Sequence, residues 1–401
     1  MLFIEVTNLH TYSRFYDITL SGRLFEKIYH RLLEVFSGEQ IFLYGSDQIV
    51  VAQEFIRQSE EERQEEQHEL CRKVIQKISS QKFSAGKGGQ YYTAALTVGA
   101  ASSGGIFGER DLSVIISLAH FAMLKGKERG EEITVADDKL RLIKKDLDDF
   151  NKEMEKGFKL DEFTPFFMPF FHPQTLKITG CESLVRWNKD KYRVIEAAKF
   201  KDIANEKNLF EKIDKRVMQK SFTALKSWKS KGFVEKGFKV AINLSKKTLI
   251  ELDVKTLVGQ LTSWGISPQE IEFDLDFESK NMQGVLSAAQ NLKNAGFNVA
   301  YDTSGYLDIS LLAELDFDTV KIGGLFATEL SESRRMSFFR EFIKISKNIG
   351  CHVLAKGVEN KKALDLSKDL GVDFIEGYYF TKPLIGEGFE IFLNKYKNGV
   401  S

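Results

Sequence analysis

The sequence predicts two folded parts in tandem: an α+β domain followed by an α/β barrel. Three observations predict this. The chain has 401 residues, which suits one barrel of ~250 residues plus a smaller partner. Residues 1–135 run strand, helix, strand, strand, helix, strand, the order of a compact sheet domain. Beyond residue 162, short strands alternate with helices, as parallel strands joined by crossover helices require.

The elements follow in order. Residues 2–6, LFIEV, read as a buried strand, and Leu24, Ile28, Leu32 and Phe36 repeat at helical spacing. Residues 40–51 read as strand, turn, strand, with Gly45-Ser46-Asp47 as the turn. The Glu/Gln-rich run Ser59–Glu69 reads as a solvated helix face leading into Leu70, Val74, Ile75 and Ile78. Residues 91–100 predict one more strand, in an antiparallel sheet, and Leu112–Lys127 another helix. Residues 136–162 are charge-dense, with Leu140, Ile143, Leu147 and Phe150 at helical spacing, and predict a helical connector. Strands are then expected at 177–187, 238–244, 270–277, 297–302, 318–323, 351–356 and 373–379, in a domain spanning 163–401.

Composition narrows the function. Lys+Arg and Asp+Glu both number 57, so no net charge draws the chain to nucleic acid or anionic membrane. Cys71, Cys181 and Cys351 are far apart and match no zinc or disulfide spacing, which points to a reducing compartment. Cys181 and Cys351 fall on predicted strands and read as buried and inert. The opening MLFIEVTNLH lacks the pattern of a signal peptide, and no run of ~20 apolar residues spans a membrane. The six histidines show no HxH or HExxH spacing, and His120 on an apolar helix reads as a core residue.

Barrel chemistry gathers at the C-terminal ends of the strands. Glu182, Asn243, Asp274 and Asp302 fall there, and four oxygen donors could converge on a hard cation such as Mg²⁺. Spacing alone does not make that specific, because many barrels end strands in acids.

The motifs are more specific. Phe166-Phe167-Met168-Pro169 through Glu182-Ser183-Leu184-Val185-Arg186-Trp187 resembles the opening of EAL domains, the bacterial cyclic-di-GMP phosphodiesterases. Val240 to Ser245, Ile271 to Asp274, Ala300 to Asp302, Val320-Lys321-Ile322, Ala355 to Glu359 and Glu376 to Leu384 resemble that family's later motifs, in family order. The first part resembles the GGDEF domain, the diguanylate cyclase module, with Gly45-Ser46-Asp47-Gln48-Ile49 as its signature loop. The resemblance implies an α+β GGDEF-like domain followed by a TIM-like (β/α)8 barrel of the EAL type, whose first strand runs antiparallel. It begins almost at Met1, so no upstream sensory domain is expected.

Both signatures depart from the family pattern. Gln48 stands where the cyclase signature has Glu, Ser46 replaces a glycine, and Glu5 takes the place of the first metal Asp. In the barrel, Asp274 is shorter than the family's Glu, and Met168 stands for a Gln. Thr303 replaces the second Asp of a pair, and Ser304-Gly305-Tyr306-Leu307 departs from the loop that follows. Lys356 replaces a catalytic Glu, and Glu376 a Gln. A lysine among carboxylates removes a metal ligand and adds a repelling charge. Either its ammonium neutralises Glu182, Asp274 or Asp302 as an internal counter-ion, or it points to solvent and leaves the acids to repel.

The expectation is therefore a catalytically silent cyclic-di-GMP signalling protein, neither cyclase nor phosphodiesterase, acting as a regulatory scaffold on a protein partner. Cyclic-di-GMP as a ligand would be held by Glu182, Leu184, Arg186, Asn243, Asp302 and Lys321, with no cofactor and no Mg²⁺. Arg186 and Lys321 have the alternative of barrel salt bridges. The competing readings are a weak or one-metal phosphodiesterase, and an interaction module that binds no nucleotide. A bacterial cytoplasmic location and a homodimer complete what the resemblance implies.

Overall fold

In a computed structural model the chain is described over residues 1–15, 18–54, 59–84, 91–190, 193–275, 282–303, 308–323 and 332–397. The loop Ser304–Leu307 and the end of the strand expected at 270–277 lie outside the described residues. Internal contacts divide the chain into two units, Met1–Lys152 and Glu153–Ser401, with the division inside the helix Asp138–Lys159.

The first unit is a five-stranded sheet. Its strands are β1 (Leu2–Val6), β2 (Ile41–Tyr44), β3 (Gln48–Val51), β4 (Leu96–Ala100) and β5 (Ile133–Val135), in the order β2-β3-β1-β4-β5. β1 is buried along its whole length because both faces are covered. Leu2, Ile4 and Val6 join one apolar cluster, with Leu24, Ile28, Cys71 and Val74. Phe3 joins another, with Ala119, Ala122 and Met123. That period of two is why LFIEV reads as a continuous apolar run. Gly45, at φ 79°, makes the β2–β3 turn, where a side chain would be strained.

Two expectations are corrected here. The sheet is mixed, because β5 pairs in parallel with β4 after the crossover helix Leu112–Arg129. The single strand expected over 91–100 is two, Tyr91–Thr93 and β4, since the first pairs instead with Lys82–Ser84. Gly99 on β4 lets the crossover helix close in: a Cβ there would stand 2.1 Å from the Ala119 carbonyl oxygen.

The second unit is an eight-stranded barrel. Its strands are β6 (Phe163–Phe171), β7 (Ile178–Asp190), β8 (Lys239–Asn243), β9 (Ile271–Leu275), β10 (Asn298–Asp302), β11 (Thr319–Ile322), β12 (His352–Ala355) and β13 (Phe374–Ile375). β7 through β13 run parallel, and β6 closes the ring antiparallel to β7 and β13. The strand reading missed β6, whose FTPFFMPFF is apolar without alternation and carries two prolines. β13 is far shorter than the strand expected at 373–379.

Alternation along the barrel strands sorts the side chains. Cys181, Val240, Ile242, Phe273, Val299, Tyr301, Val320 and Val353 pack outward into the large apolar cluster beneath the helices. Their neighbours one residue away turn to the interior, which holds Glu182, Glu272, Asp274, Thr319 and Lys321 rather than the branched apolar layers usual in such barrels. Phe170, Ala241 and Leu354 form a small apolar cluster of their own. Gly180 makes room for the Phe170 ring, which stands 2.2 Å from where a Cβ would be.

Candidate functional site

The C-terminal ends of the barrel strands frame a cavity of about 310 Å³. Glu182, Leu184 and Arg186 reach it from β7, Asn243 from the end of β8, Asp274 from β9, Asp302 from the end of β10, and Lys356 from just beyond β12. Three further expected site residues lie off its lining. Lys321 is wholly buried in the barrel. Thr303 donates from its hydroxyl to the Lys321 carbonyl at 2.8 Å. Glu376 follows β13, with its backbone N–H on the Ala355 carbonyl at 3.0 Å.

Lys356 turns inward. Its Nζ lies 3.0 Å from Asp302 Oδ2, 3.1 Å from Glu182 Oε2 and 3.7 Å from Glu376 Oε1. This rules out the solvent-pointing alternative. Asn243 Nδ2 donates to Glu182 Oε1 at 2.8 Å and fixes that carboxylate from the other side. Beneath this layer Lys321 Nζ lies 2.6 Å from Asp274 Oδ2 and 3.4 Å from Glu272 Oε1, and Thr319 Oγ1 donates to Glu272 Oε2 at 2.6 Å. Lys321 thus makes the internal salt bridge, wholly buried in the barrel.

Burial and charge set the protonation of the site. Burial pushes the Glu182 carboxyl up, but Lys356 and Lys321 pull it down further, so it lies well below the ordinary carboxylate range. Burial pushes Asp274 up to about 8, with Lys321 opposing. Burial and the Glu182 charge both raise Glu376 well above its usual value. Burial pushes Lys321 and Lys356 down, but the surrounding carboxylates outweigh it, and both ammoniums are held charged.

A divalent cation takes oxygen ligands at about 2.0–2.6 Å. Here the oxygens of Glu182 and Asp302 are already engaged by the Lys356 ammonium, whose fixed charge repels a second cation. The residues as arranged do not fit a metal ion. Glu5 faces Gln48 across β1 and β3, and Lys127 Nζ lies 2.5 Å from its Oε1. Asp47 of the turn pairs with His10 at 3.1 Å, Ser46 sits in the turn itself, and Ile49 is buried in the sheet.

Three contributors escaped the sequence reading. Glu272 lies two residues before Asp274 on one strand and so on the same face, a spacing that could have pointed to it. Asp214, on the helix Phe210–Ser230, accepts the Ser245 N–H at 2.9 Å and the Thr248 hydroxyl at 3.0 Å, which holds the turn after Asn243. Lys201 lines the same cavity, and no motif marks it.

Comparison with known proteins bears on the barrel. The model of the family described as "EAL domain" matches residues 151–383. The "Biofilm architecture maintenance protein MbaA" of Vibrio cholerae serotype O1 is 24% identical over 270 residues, 66% of this chain and 34% of that protein. The "Cyclic di-GMP phosphodiesterase PdeR" of Escherichia coli strain K12 is 24% identical over 226 residues, 55% of this chain and 34% of that protein. The chain thus spans about a third of the length of both relatives. Among solved structures, "Structure of EAL Enzyme Bd1971 - cAMP and cyclic-di-GMP bound form" superposes with a TM-score of 0.58 at 20% identity, over 71% of this chain and 76% of that one, and shows the same fold. These findings overturn the expectation that the chain is not an enzyme, since the barrel is similar to that of a named phosphodiesterase.

Proposed function

Because the chain belongs to the EAL domain family, we propose that its barrel binds cyclic-di-GMP at the strand ends and serves cyclic-di-GMP signalling, with phosphodiester hydrolysis as its reaction class. The observation that carries this reading is the cavity itself, where Arg186 and Lys356 line one hollow with Glu182, Asn243 and Asp302. Arg186 offers a guanidinium fork suited to a phosphate. Its own bonds are weak competitors: Nη1 donates to the Val185 carbonyl at 3.0 Å, and Glu196 stands 3.9 Å from Nη2. Lys356 is a fixed positive charge in a partly dry site, where such a charge acts strongly on phosphoryl oxygens. Glu182 and Asn243 keep it in place. This arrangement supports a pocket that works without Mg²⁺, the lysine standing where a metal ion would otherwise balance the acids.

Residues 1–135 read as a GGDEF-like regulatory module, joined by the connector 136–162 to the barrel at 163–401. The tight turn between β2 and β3 and the acid at Glu5 beside it support that reading. The test is incubation of the purified chain with cyclic-di-GMP, first in EDTA and then with Mn²⁺, with chromatography for the linear dinucleotide and calorimetry for binding. Binding and turnover that Arg186→Ala removes are expected. A chain that neither binds nor turns over the dinucleotide refutes the reading.

A further inference from the structure

We infer that the pocket continues past Lys201 into an outer basic subsite, which holds the second phosphate of the dinucleotide. The inference rests on the cyclic-di-GMP reading and adds a part of the site that no motif marks.

The first observation is size. At about 310 Å³ the inner cavity lies at the lower end of ligand sites, which run about 300–1,000 Å³. A molecule with two nucleosides and two phosphates needs more room. A second cavity of about 440 Å³ shares Lys201, Leu244 and Ser245 with the first. The next observation is charge. Lys201, Lys246 and Lys247 line the outer cavity, and its acid, Glu211, is engaged by Lys247 at 2.9 Å. Asn205 and Asn208 add neutral donors.

Lys201 stands on both walls. Among the described residues no carboxylate stands within salt-bridge distance of it; its charge acts on Asp214 in the same cavity, and its ammonium lies 6.0 Å from the Phe210 ring. The wall opposite is firm, because Asp214 holds the Ser245 backbone and Ser245 caps the turn through Thr248. With Arg186 and Lys356 facing one phosphate, Lys201 is the cation placed for the other.

Titration calorimetry with cyclic-di-GMP and with 5′-GMP, which has one phosphate, tests this. Lys201 is exposed, so its variants keep the fold. Lys201→Ala should weaken cyclic-di-GMP about tenfold, the worth of one charged hydrogen bond, and leave 5′-GMP unchanged. Lys201→Glu should weaken it further, and Lys201→Arg should restore most of the loss. If the unaltered chain binds cyclic-di-GMP and Lys201→Ala and Lys201→Glu bind it equally well, the subsite is wrong while the reading of the pocket stands. An equal loss for both ligands places Lys201 at the inner phosphate and also overturns the inference. If the unaltered chain binds no cyclic-di-GMP, the functional reading falls and takes the subsite with it.

Discussion

Lys356→Met removes one positive charge and keeps most of the side-chain volume. In the native barrel the Lys356 side chain is 21% exposed, and Glu182 beneath it 2%. Removing one partner of a buried pair costs about 3–5 kcal/mol, because the remaining charge is left uncompensated. The residual exposure of Lys356 places its loss near the lower end, about 3 kcal/mol at neutral pH. The pH dependence has a definite sign. Glu182 is held below its unfolded value, so its contribution is present above that value and lost as pH falls through the folded one. Without Lys356, burial dominates, the carboxyl rises above its unfolded value, and stability then falls as pH rises. The gap between native and variant chains should widen from pH 4.5 to 7.5, by at most about 1.4 kcal/mol per pH unit for each proton involved. Urea unfolding followed by the fluorescence of Trp187 and Trp228, both buried in the barrel unit, reads this directly. A loss below about 1 kcal/mol, the size of an exposed pair, would show that Lys356 is solvated. So would a loss that is the same at both pH values.

Two other substitutions follow from the same electrostatics. Glu376 is raised above its unfolded value, so its contribution is present at low pH and declines as pH climbs past that value. Glu376→Gln should leave stability at pH 5 nearly unchanged and raise the urea midpoint at pH 8; a lower midpoint at pH 8 would show that the acid is ionised in the fold. In the first unit, Glu5→Gln should cost less than about 1 kcal/mol in thermal unfolding, because the paired Lys127 side chain is 50% exposed and screened. A loss of several kcal/mol would reveal a desolvated pair.

Much of this architecture is legible in the sequence, for physical reasons that can be named. Strand Ile271–Leu275 alternates apolar and polar because one face meets helices and the other the interior, so Ile271-Glu272-Phe273-Asp274 announces both strand and site. β6 is illegible for the opposite reason, since Phe163, Phe167, Phe170 and Phe171 are buried without alternation and two prolines mask the strand. The acids at the strand ends can be placed from the motifs, and so can the odd lysine at 356. Its direction cannot, because a flexible side chain is steered by partners far apart in sequence: Glu182, Asp302 and Glu376. The upward shift of the Glu376 carboxyl follows from burial beside Glu182 and leaves no mark in composition. Lys201 stayed hidden because its role depends on two cavities meeting, which is a property of the folded wall.

We propose that an ammonium stands where a metal ion would balance the acids, in a pocket for cyclic-di-GMP. Calorimetric titration of the full chain with cyclic-di-GMP in EDTA tests it most directly, repeated after adding Mg²⁺. Saturable binding in EDTA is expected, unchanged by Mg²⁺ and lost in Lys356→Ala. Binding that is absent in EDTA and appears only with Mg²⁺ would contradict it.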